Sequence, residues 1–327
     1  MTLAGVIAGW VGFEERRVER CAALFLAHQW NWSAALTHRL ISFMGVALAL
    51  AYLAPNHYPP WPAFHSDLLA AIAVAPIVLW ALFRLGEQPK LAFFSLLLSI
   101  VPLAQVLVGQ IIFPGDGWVA GLYLAGFGLT VLAGARLNSG KPNLHGSATQ
   151  LAPLFAGLVV AGVVSVGLAT HQWLNLQLSG LFTLDLEAGG RPYANMAQPN
   201  QLATLLLMGL VGSAYLYECR IVRGATALIA AVVLAFGLAL TESRTALIAI
   251  CVIWLAFLTM RRRANLRLTP LALLIPSCTF LLVTWFWSSI NSFLLLSPGI
   301  SLAERMGQNL RLTMWSALLD AVWRCPW

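Results

Sequence analysis

The stretch GATALIAAVVLAFGLALTESRTALIAICVIWLAFLTMRRR, residues 224–263, decides the fold of this chain. It holds two apolar runs, near 224–241 and 245–260, with only a tight turn at 242–244 between them. With tilt, each run is long enough to cross a hydrocarbon core about 30 Å thick. Three arginines follow the second run directly, as is typical of a cytoplasmic flank. The stretch therefore predicts a membrane hairpin whose tip lies on the face opposite to those arginines.

The same kind of apolar run recurs along the chain. Seven more runs lie near 36–54, 68–84, 91–112, 118–135, 151–170, 201–217 and 269–290. Hydrophobic residues make up 60% of the chain and charged residues 9%, whereas a soluble domain carries roughly a quarter charged residues. We predict an all-α, polytopic membrane helix bundle of about nine transmembrane helices with a cytoplasmic N-terminus. Residues 1–33 are expected to form a cytoplasmic or interfacial lead-in, and residues 291–327 to begin a large outer loop.

The distribution of positive charge sets the expected topology. Of the 19 Lys and Arg residues, 14 fall on one predicted side, which the positive-inside bias makes cytoplasmic. The net charge of +7 therefore reflects topology and anionic lipid headgroups instead of nucleic-acid binding. The other five are all arginines, and arginine without lysine favours bidentate recognition of phosphate or carboxylate. These outer-face residues are Arg191, Arg244, Arg305, Arg311 and Arg324.

The first candidate site is RPYANMAQPNQLAT, residues 191–204, which leads into an apolar helix. Pro199 disfavours helix at Gln198, and Asn200 is expected to cap the helix that follows. One interpretation is an ordinary polar helix start. The other is a binding loop at the mouth of the bundle, because so many polar groups are costly at a membrane boundary unless they bind something. Its candidate binding residues are Tyr193, Asn195, Gln198 and Asn200, beside Arg191.

Two further elements carry outer-face arginines. Glu242 and Arg244 lie in LTESRTAL, residues 240–247, and allow two interpretations. They either pair with each other and brace the turn, or they form an anion site. In the second case Glu242 orients Arg244 or acts as a base. The apolar i,i+4 spacing in 301–324 predicts an amphipathic helix on the outer membrane surface. Arg311 and Trp315 lie one turn apart on it, either as interfacial anchors or as ligand-binding residues.

We predict neither a metal site nor a cofactor. Asp185 and Glu187 have a D-x-E spacing that metal-dependent membrane glycosyltransferases use, but two carboxylates alone are a poor site. The five cysteines are isolated, which predicts no disulfide framework and no zinc site. No nucleotide-binding motif is present. Other outer-face residues have no ligand-like spacing; they are His57, His65, Asp67 and His171.

The motifs together resemble the O-antigen ligase superfamily, most closely the bacterial pilin-type O-oligosaccharyltransferases. The resemblance covers nearly all of residues 35–327. It rests on five strings in order: PNHYPPWPAFHSD at 55–67, GQIIFPGDGW at 109–118, RPYANMAQPNQLAT at 191–204, SRTAL at 243–247 and RLTMW at 311–315. Asp67 stands where this family leads us to expect Glu.

The resemblance implies a glycan-ligase-like transmembrane domain at 34–290 in the bacterial inner membrane, with a periplasmic active face. It implies an inverting, metal-independent transfer of a glycan from undecaprenyl diphosphate to an acceptor hydroxyl. Acceptors in the family are Ser or Thr of pilin-like proteins, a sugar of the lipid A core, or a growing glycan, and the sequence does not choose among them. Arg191, Arg244 and Arg311 match positions that hold the diphosphate, with Glu242 and Trp315 beside them.

Members of the family continue past RLTMW into a Gly-rich stretch and an outer-loop histidine important for transfer. Because this chain ends at Trp327, we expect it to be an incomplete fragment, inactive alone, with its general base beyond Trp327. A transporter or flippase of lipid-linked glycans is the alternative from another class. It would need charged residues within the spans and repeat symmetry, which this sequence lacks. A purely structural membrane component leaves the 191–204 string unexplained.

Overall fold

A computed structural model describes residues 35–59, 63–84, 86, 88–138, 149–176, 180–186, 190–263, 265–294 and 310–324. All regular structure in these ranges is α-helical. The helices are α1 (Ala35–Leu53), α2 (Phe64–Leu82), α3 (Lys90–Leu98), α4 (Ile100–Leu107), α5 (Pro114–Asn138), α6 (Ala152–Trp173), α7 (Pro199–Glu218), α8 (Gly224–Leu240), α9 (Arg244–Arg263), α10 (Pro270–Trp285), α11 (Trp287–Phe293) and α12 (Leu310–Arg324).

The predicted all-α membrane bundle is confirmed. Among the described residues, 6 helices are long and apolar enough to cross a membrane, or up to 7 if the bent pair α10–α11 forms one span. The chain is thus a multi-pass membrane protein. The count of nine spans stays a prediction, because α8 has only 17 residues and α7 begins with polar Asn200 and Gln201. The predicted lead-in at 1–33 and the first part of the amphipathic helix, 301–309, lie outside the described residues.

The chain folds as two compact units, Met1–Met44 with Ala75–Gly140 and Gly45–Val74 with Lys141–Trp327. In the first unit, α3 and α4 pack along α5. The single span predicted near 91–112 is interrupted at Ser99, and Pro102 is tolerated there because it falls in the first turn of α4. Ser95 Oγ donates to the carbonyl oxygen of Leu124 at 2.8 Å and so joins α3 to α5.

The second unit is built around α6, α7, α8 and α10, which pack against one another. Its core consists of aliphatic side chains from these helices, among them Leu202, Leu206, Leu234 and Leu238, all 0% exposed. Successive helices run in opposite directions, so the unit has two ends. We call one the hairpin end, where α6 and α8 finish and α7 and α9 begin. We call the other the basic end, where α7 and α9 finish and α8 and α10 begin.

The backbones of α1 and α6 touch at two glycines. A Cβ added at Gly157 would overlap the carbonyl oxygen of Gly45, and a Cβ at Gly45 would overlap that of Pro153. Helices in membranes associate largely by such close packing of small residues, because lipid tails are as apolar as the helix surface. No side chain fits at this crossing without moving a helix.

We therefore expect Gly157→Leu to lower the free energy of unfolding by about 2 kcal/mol, the usual cost of an overpacked interior. Gly167→Leu is the matched control, because Gly167 lies on the same helix and nothing comes within 4 Å of a Cβ there. Thermal unfolding of both variants in the same detergent is the measurement. Equal melting temperatures for the two would show that the crossing does not hold α1 against α6.

Candidate functional site

The loop that precedes α7 is held at the hairpin end by a buried glutamine. Gln172, only 5% exposed, lies in the last turn of α6. Its Oε1 accepts hydrogen bonds from the backbone N–H groups of Tyr193 at 2.9 Å and Ala194 at 3.0 Å. Its Nε2 donates to the carbonyl oxygen of Leu184 at 2.8 Å. One side chain thus supplies partners to two segments of the long loop between α6 and α7.

A second amide fixes the same loop from the other side. The Asn195 side chain is 1% exposed. Its Nδ2 donates to the carbonyl oxygen of Tyr52 at 2.6 Å, and its Oδ1 accepts from Ser165 Oγ at 3.1 Å. The backbone N–H of Asn56 donates to the Asn195 carbonyl oxygen at 2.8 Å. Both ends of this amide are used inside the protein and hold the loop, and its contact with a ligand stays a prediction.

The start of α7 corrects one prediction. Pro199 is the first helical residue, and Gln198 before it is extended, with φ −146° and ψ 125°, as the proline predicted. Asn200 therefore lies inside the helix, and the expectation that it caps α7 is wrong. Its Oδ1 instead accepts a hydrogen bond from Ser243 Oγ at 3.0 Å, and Ser243 Oγ lies 2.6 Å from Thr245 Oγ1. The loop is joined in this way to the tip of the α8–α9 hairpin.

The hairpin tip is buried although it is a connection between two helices. Thr241, Glu242 and Ser243 are 0%, 4% and 1% exposed. Glu242 has φ 46°, a left-handed conformation that costs a non-glycine residue on the order of 1 kcal/mol or more. Arg191 Nη1 lies 3.5 Å from the Glu242 carbonyl oxygen, a long contact that brings the loop arginine to the tip.

Arg244 differs from its neighbours because it is exposed. It is the first residue of α9, two positions after the buried Glu242. Its guanidinium has no hydrogen-bond or ion-pair partner among the described residues, so the alternative of a Glu242–Arg244 pair bracing the turn is not what the structure contains. The hairpin end thus presents one arginine packed on the tip, Arg191, and one facing outward, Arg244.

Not all predicted site residues join this group. Tyr193 is half-buried and Gln198 is exposed on the same loop. Trp315 lies on α12 with 59% of its surface exposed, and none of the hydrogen bonds described above involves it. The backbone of Arg311 belongs to α12, but its side chain lies outside the described part of the structure. Arg324 forms a surface ion pair with Asp320 at 2.8 Å.

Carboxylate, histidine and cysteine side chains do not gather into a metal-like group of three anywhere in the described ranges. Asp185 is exposed, and Glu187 lies outside those ranges. Buried polar atoms without a partner among the described residues also lie near the hairpin end; they include Asn56 Oδ1, His57 Nε2 and His171 Nδ1. Such atoms are costly to bury unless water or another polar group bonds to them.

The residues that the sequence did not single out are the ones that build the loop. Gln172 ends an apolar run, where a glutamine is unfavourable unless its amide is satisfied, and this was the available signal. Trp173 Nε1 donates to Asn291 Oδ1 at 2.9 Å, and the Trp173 ring stacks on Trp287 at 5.4 Å. These pairings join residues more than 100 positions apart, which local pattern does not reveal.

Comparisons with known proteins agree with the resemblance inferred from the motifs. A family model described as protein glycosylation ligase matches residues 192–217, the end of the loop and nearly all of α7. The chain is 28% identical over 303 residues to a general O-oligosaccharyltransferase of Acinetobacter baylyi, covering 90% of this chain and 52% of that protein. It is 24% identical over 290 residues to a ComP-specific O-oligosaccharyltransferase of the same organism, covering 85% and 50%.

The chain spans about half the length of the curated relatives it matches. No solved structure matches it significantly. The predicted resemblance to the O-oligosaccharyltransferase branch of the O-antigen ligase superfamily is confirmed by these matches.

The loop anchor gives a testable expectation. Gln172→Leu leaves two buried N–H groups without an acceptor, and each unsatisfied group costs about 1–3 kcal/mol. We expect amide hydrogen exchange in peptides covering residues 190–198 to speed up by roughly tenfold or more, since 1.4 kcal/mol is a factor of ten.

Gln201→Leu is the control, because Gln201 is exposed on α7 and makes no side-chain hydrogen bond in the described structure. If exchange in 190–198 is as slow in Gln172→Leu as in Gln201→Leu, Gln172 does not anchor the loop.

Proposed function

We propose that this relative of the O-oligosaccharyltransferases is a membrane glycosyltransferase that moves a glycan from a lipid diphosphate to an acceptor hydroxyl at its hairpin end. The observation that carries the proposal is the pair of arginines there. Arg191 lies against the Glu242 carbonyl, and Arg244 is exposed at the first residue of α9. Arg191 lies in the loop before α7 and Arg244 begins α9, so both lie at the end of apolar helices, where a lipid-borne substrate is within reach.

The electrostatics of Arg244 favour an anion. The N-terminus of an α-helix carries a partial positive charge, so a cation at its first residue is disfavoured in the absence of a counter-charge. The same helix end offers free backbone N–H groups to a phosphate. A guanidinium and a helix N-terminus at one point thus form a site for a phosphoryl group, and the lack of a described carboxylate partner leaves Arg244 available to it.

The chemistry of glycan transfer needs such groups. As the acceptor hydroxyl forms its new bond to the anomeric carbon and releases its proton, the bond from that carbon to the diphosphate breaks. The bond's electron pair, and hence negative charge, stays on the departing oxygen. Fixed donors aimed at this oxygen stabilise the transition state more than the bound substrate, which is what accelerates a reaction.

The neighbouring residues take supporting roles in this proposal. Gln172, Asn195 and the Asn200–Ser243 hydrogen bond hold the loop in one conformation, so that Arg191 is placed before the substrate binds. Tyr193 and Gln198 are the loop side chains that remain accessible for contact with the donor. Glu242 orients Arg191 through its carbonyl. Arg311 is proposed as a third diphosphate ligand and Trp315 as its neighbour on α12.

The finer details rest on the family. We propose undecaprenyl diphosphate as the glycan carrier, the periplasmic face of the bacterial inner membrane as the place of reaction, and an inverting transfer without a metal ion. The acceptor is a Ser or Thr of a pilin-like protein or a sugar of the lipid A core. The names of the two relatives, both oligosaccharyltransferases and one specific for ComP, support a protein acceptor.

Substitution of Arg244 tests the proposal. In the intact protein, Arg244→Ala is expected to lower glycan transfer by about 10²–10³-fold, as the loss of one oxyanion donor does. Arg244→Lys should restore only part of it, because a point charge does not replace the bidentate guanidinium. The measurement is glycosylation of the acceptor in cells, normalised to the amount of the protein in the membrane.

Arg262→Ala is the matched control, since Arg262 is exposed near the other end of the same helix. Transfer that is unchanged in Arg244→Ala at normal protein level removes Arg244 from the reaction. If Arg244→Ala lowers transfer because lipid-linked glycan no longer reaches the outer face, the flippase alternative is favoured, whereas donor that accumulates at the outer face supports the transferase.

A further inference from the structure

The second unit contains an apolar cavity that the proposed reaction does not use. It lies between α7, α8, α9 and α10 and has a volume of about 520 Å³. Small residues of α8, Ala227, Ala231 and Ala235, leave room along one wall, and Phe257 and Leu273 line others. A cavity of this size is within the range of ligand-binding pockets, and its apolar lining is unfavourable for water.

The cavity opens sideways, toward the membrane. Met260 and Leu271 belong to its lining and are nevertheless 55% and 63% exposed. Apolar side chains exposed on a membrane helix face hydrocarbon. From Gly224 to Leu238, the cavity follows α8 for roughly 21 Å at 1.5 Å per residue, which exceeds the ~15 Å depth of one leaflet. An acyl chain from the bilayer therefore fits along it.

Two arginines stand over aromatic rings of the cavity wall at the basic end. The Arg267 guanidinium lies 4.9 Å from the ring centre of Tyr217, and that of Arg261 lies 5.6 Å from the ring centre of Phe257. Tyr217 and Phe257 both line the cavity. Arg267 Nη1 also donates to the Tyr217 carbonyl oxygen at 3.1 Å. The stacking holds both positive charges at the cavity mouth.

The loop that carries Arg267 is fixed by Glu218. The two carboxylate oxygens of Glu218 accept from the backbone N–H groups of Arg267 at 3.0 Å and Leu268 at 2.7 Å. This carboxylate is thus committed to the backbone. In the described ranges, no salt bridge to a carboxylate involves any arginine at this end. The arginines at the basic end are all exposed; they are Arg220, Arg223, Arg261, Arg262, Arg263 and Arg267.

We propose that the basic end binds an anionic phospholipid, with one acyl chain in the cavity and its phosphate between Arg261 and Arg267. The second acyl chain lies outside, along the exposed Met260 and Leu271. An excess of guanidinium groups at the mouth selects a lipid of net negative charge, and basic pockets between membrane helices are suited to such headgroups. This site is distinct from Arg191 and Arg244, which lie at the hairpin end, and it does not depend on the proposed transfer reaction.

Native mass spectrometry of the intact, delipidated protein in detergent tests this. The probes are phosphatidylglycerol and phosphatidylcholine with the same two acyl chains. If each of the two arginines strengthens binding about fivefold, phosphatidylglycerol is expected to bind ~25-fold more tightly than phosphatidylcholine. Arg261→Gln and Arg267→Gln are each expected to weaken phosphatidylglycerol about fivefold. Arg262→Gln, on the same exposed helix end but without a described ring contact, should leave its affinity unchanged.

Equal binding of the two lipids, or an equal loss in Arg262→Gln, would overturn the site, since either means that only diffuse surface charge is at work. A polyprenyl phosphate that binds more tightly than phosphatidylglycerol and shows the same arginine dependence would overturn the choice of occupant.

The acyl chain is tested separately. Ala231→Phe fills the cavity and is expected to weaken phosphatidylglycerol at least tenfold, because the chain loses its buried contacts. Ala225→Phe is the control, because Ala225 is exposed on the same helix and does not line the cavity. Unchanged binding in a folded Ala231→Phe protein would show that the cavity holds no lipid chain. The arginine variants decide the proposal if Ala231→Phe does not fold.

Discussion

A chain that crosses a membrane has to satisfy its own backbone, because the hydrocarbon offers no water to the N–H and C=O groups. The helices do this by themselves, but the loop before α7 does not, and it lies against the end of the bundle. Gln172 supplies the missing acceptor for two of its N–H groups, and Asn195 ties it to α1 and α6. The position of Arg191 follows from those bonds. The geometry of the candidate site therefore depends on the hydrogen bonds of two buried amides.

The same constraint explains the hairpin tip. The three residues that connect the two apolar helices are buried, and their polar groups turn inward. Ser243 bonds to Asn200, and the Glu242 carbonyl meets Arg191. With these hydrogen bonds, the backbone of Glu242 has a left-handed conformation. Strain of this kind persists where surrounding contacts over-determine it, and it is found often at ligand sites. The loop and the tip thus stabilise each other across about 50 positions of sequence.

The sequence predicted what depends on local pattern. The apolar runs predicted the helices, Pro199 predicted the extended backbone at Gln198, and the 242–244 turn predicted the hairpin. Positions fixed by distant partners were different. Asn200 has the composition of a helix cap, but Ser243 is its partner, and no local rule pairs residues 43 positions apart. The same holds for Gln172 and for the glycines at which α1 meets α6, because a glycine on one helix does not identify the helix that faces it.

The arginines at the two ends of α9 have different explanations. Arg261, Arg262 and Arg263 close the helix, where the macrodipole favours cations, so dipole and topology both account for them. Arg244 begins the same helix, where the dipole disfavours a cation by about 0.3–1 kcal/mol and positive-inside topology gives no reason for one. Neither tendency accounts for Arg244, which is exposed and has no partner among the described residues. In the proposed function, the diphosphate of the lipid-linked donor supplies the compensating negative charge, and Arg191 is its second contact.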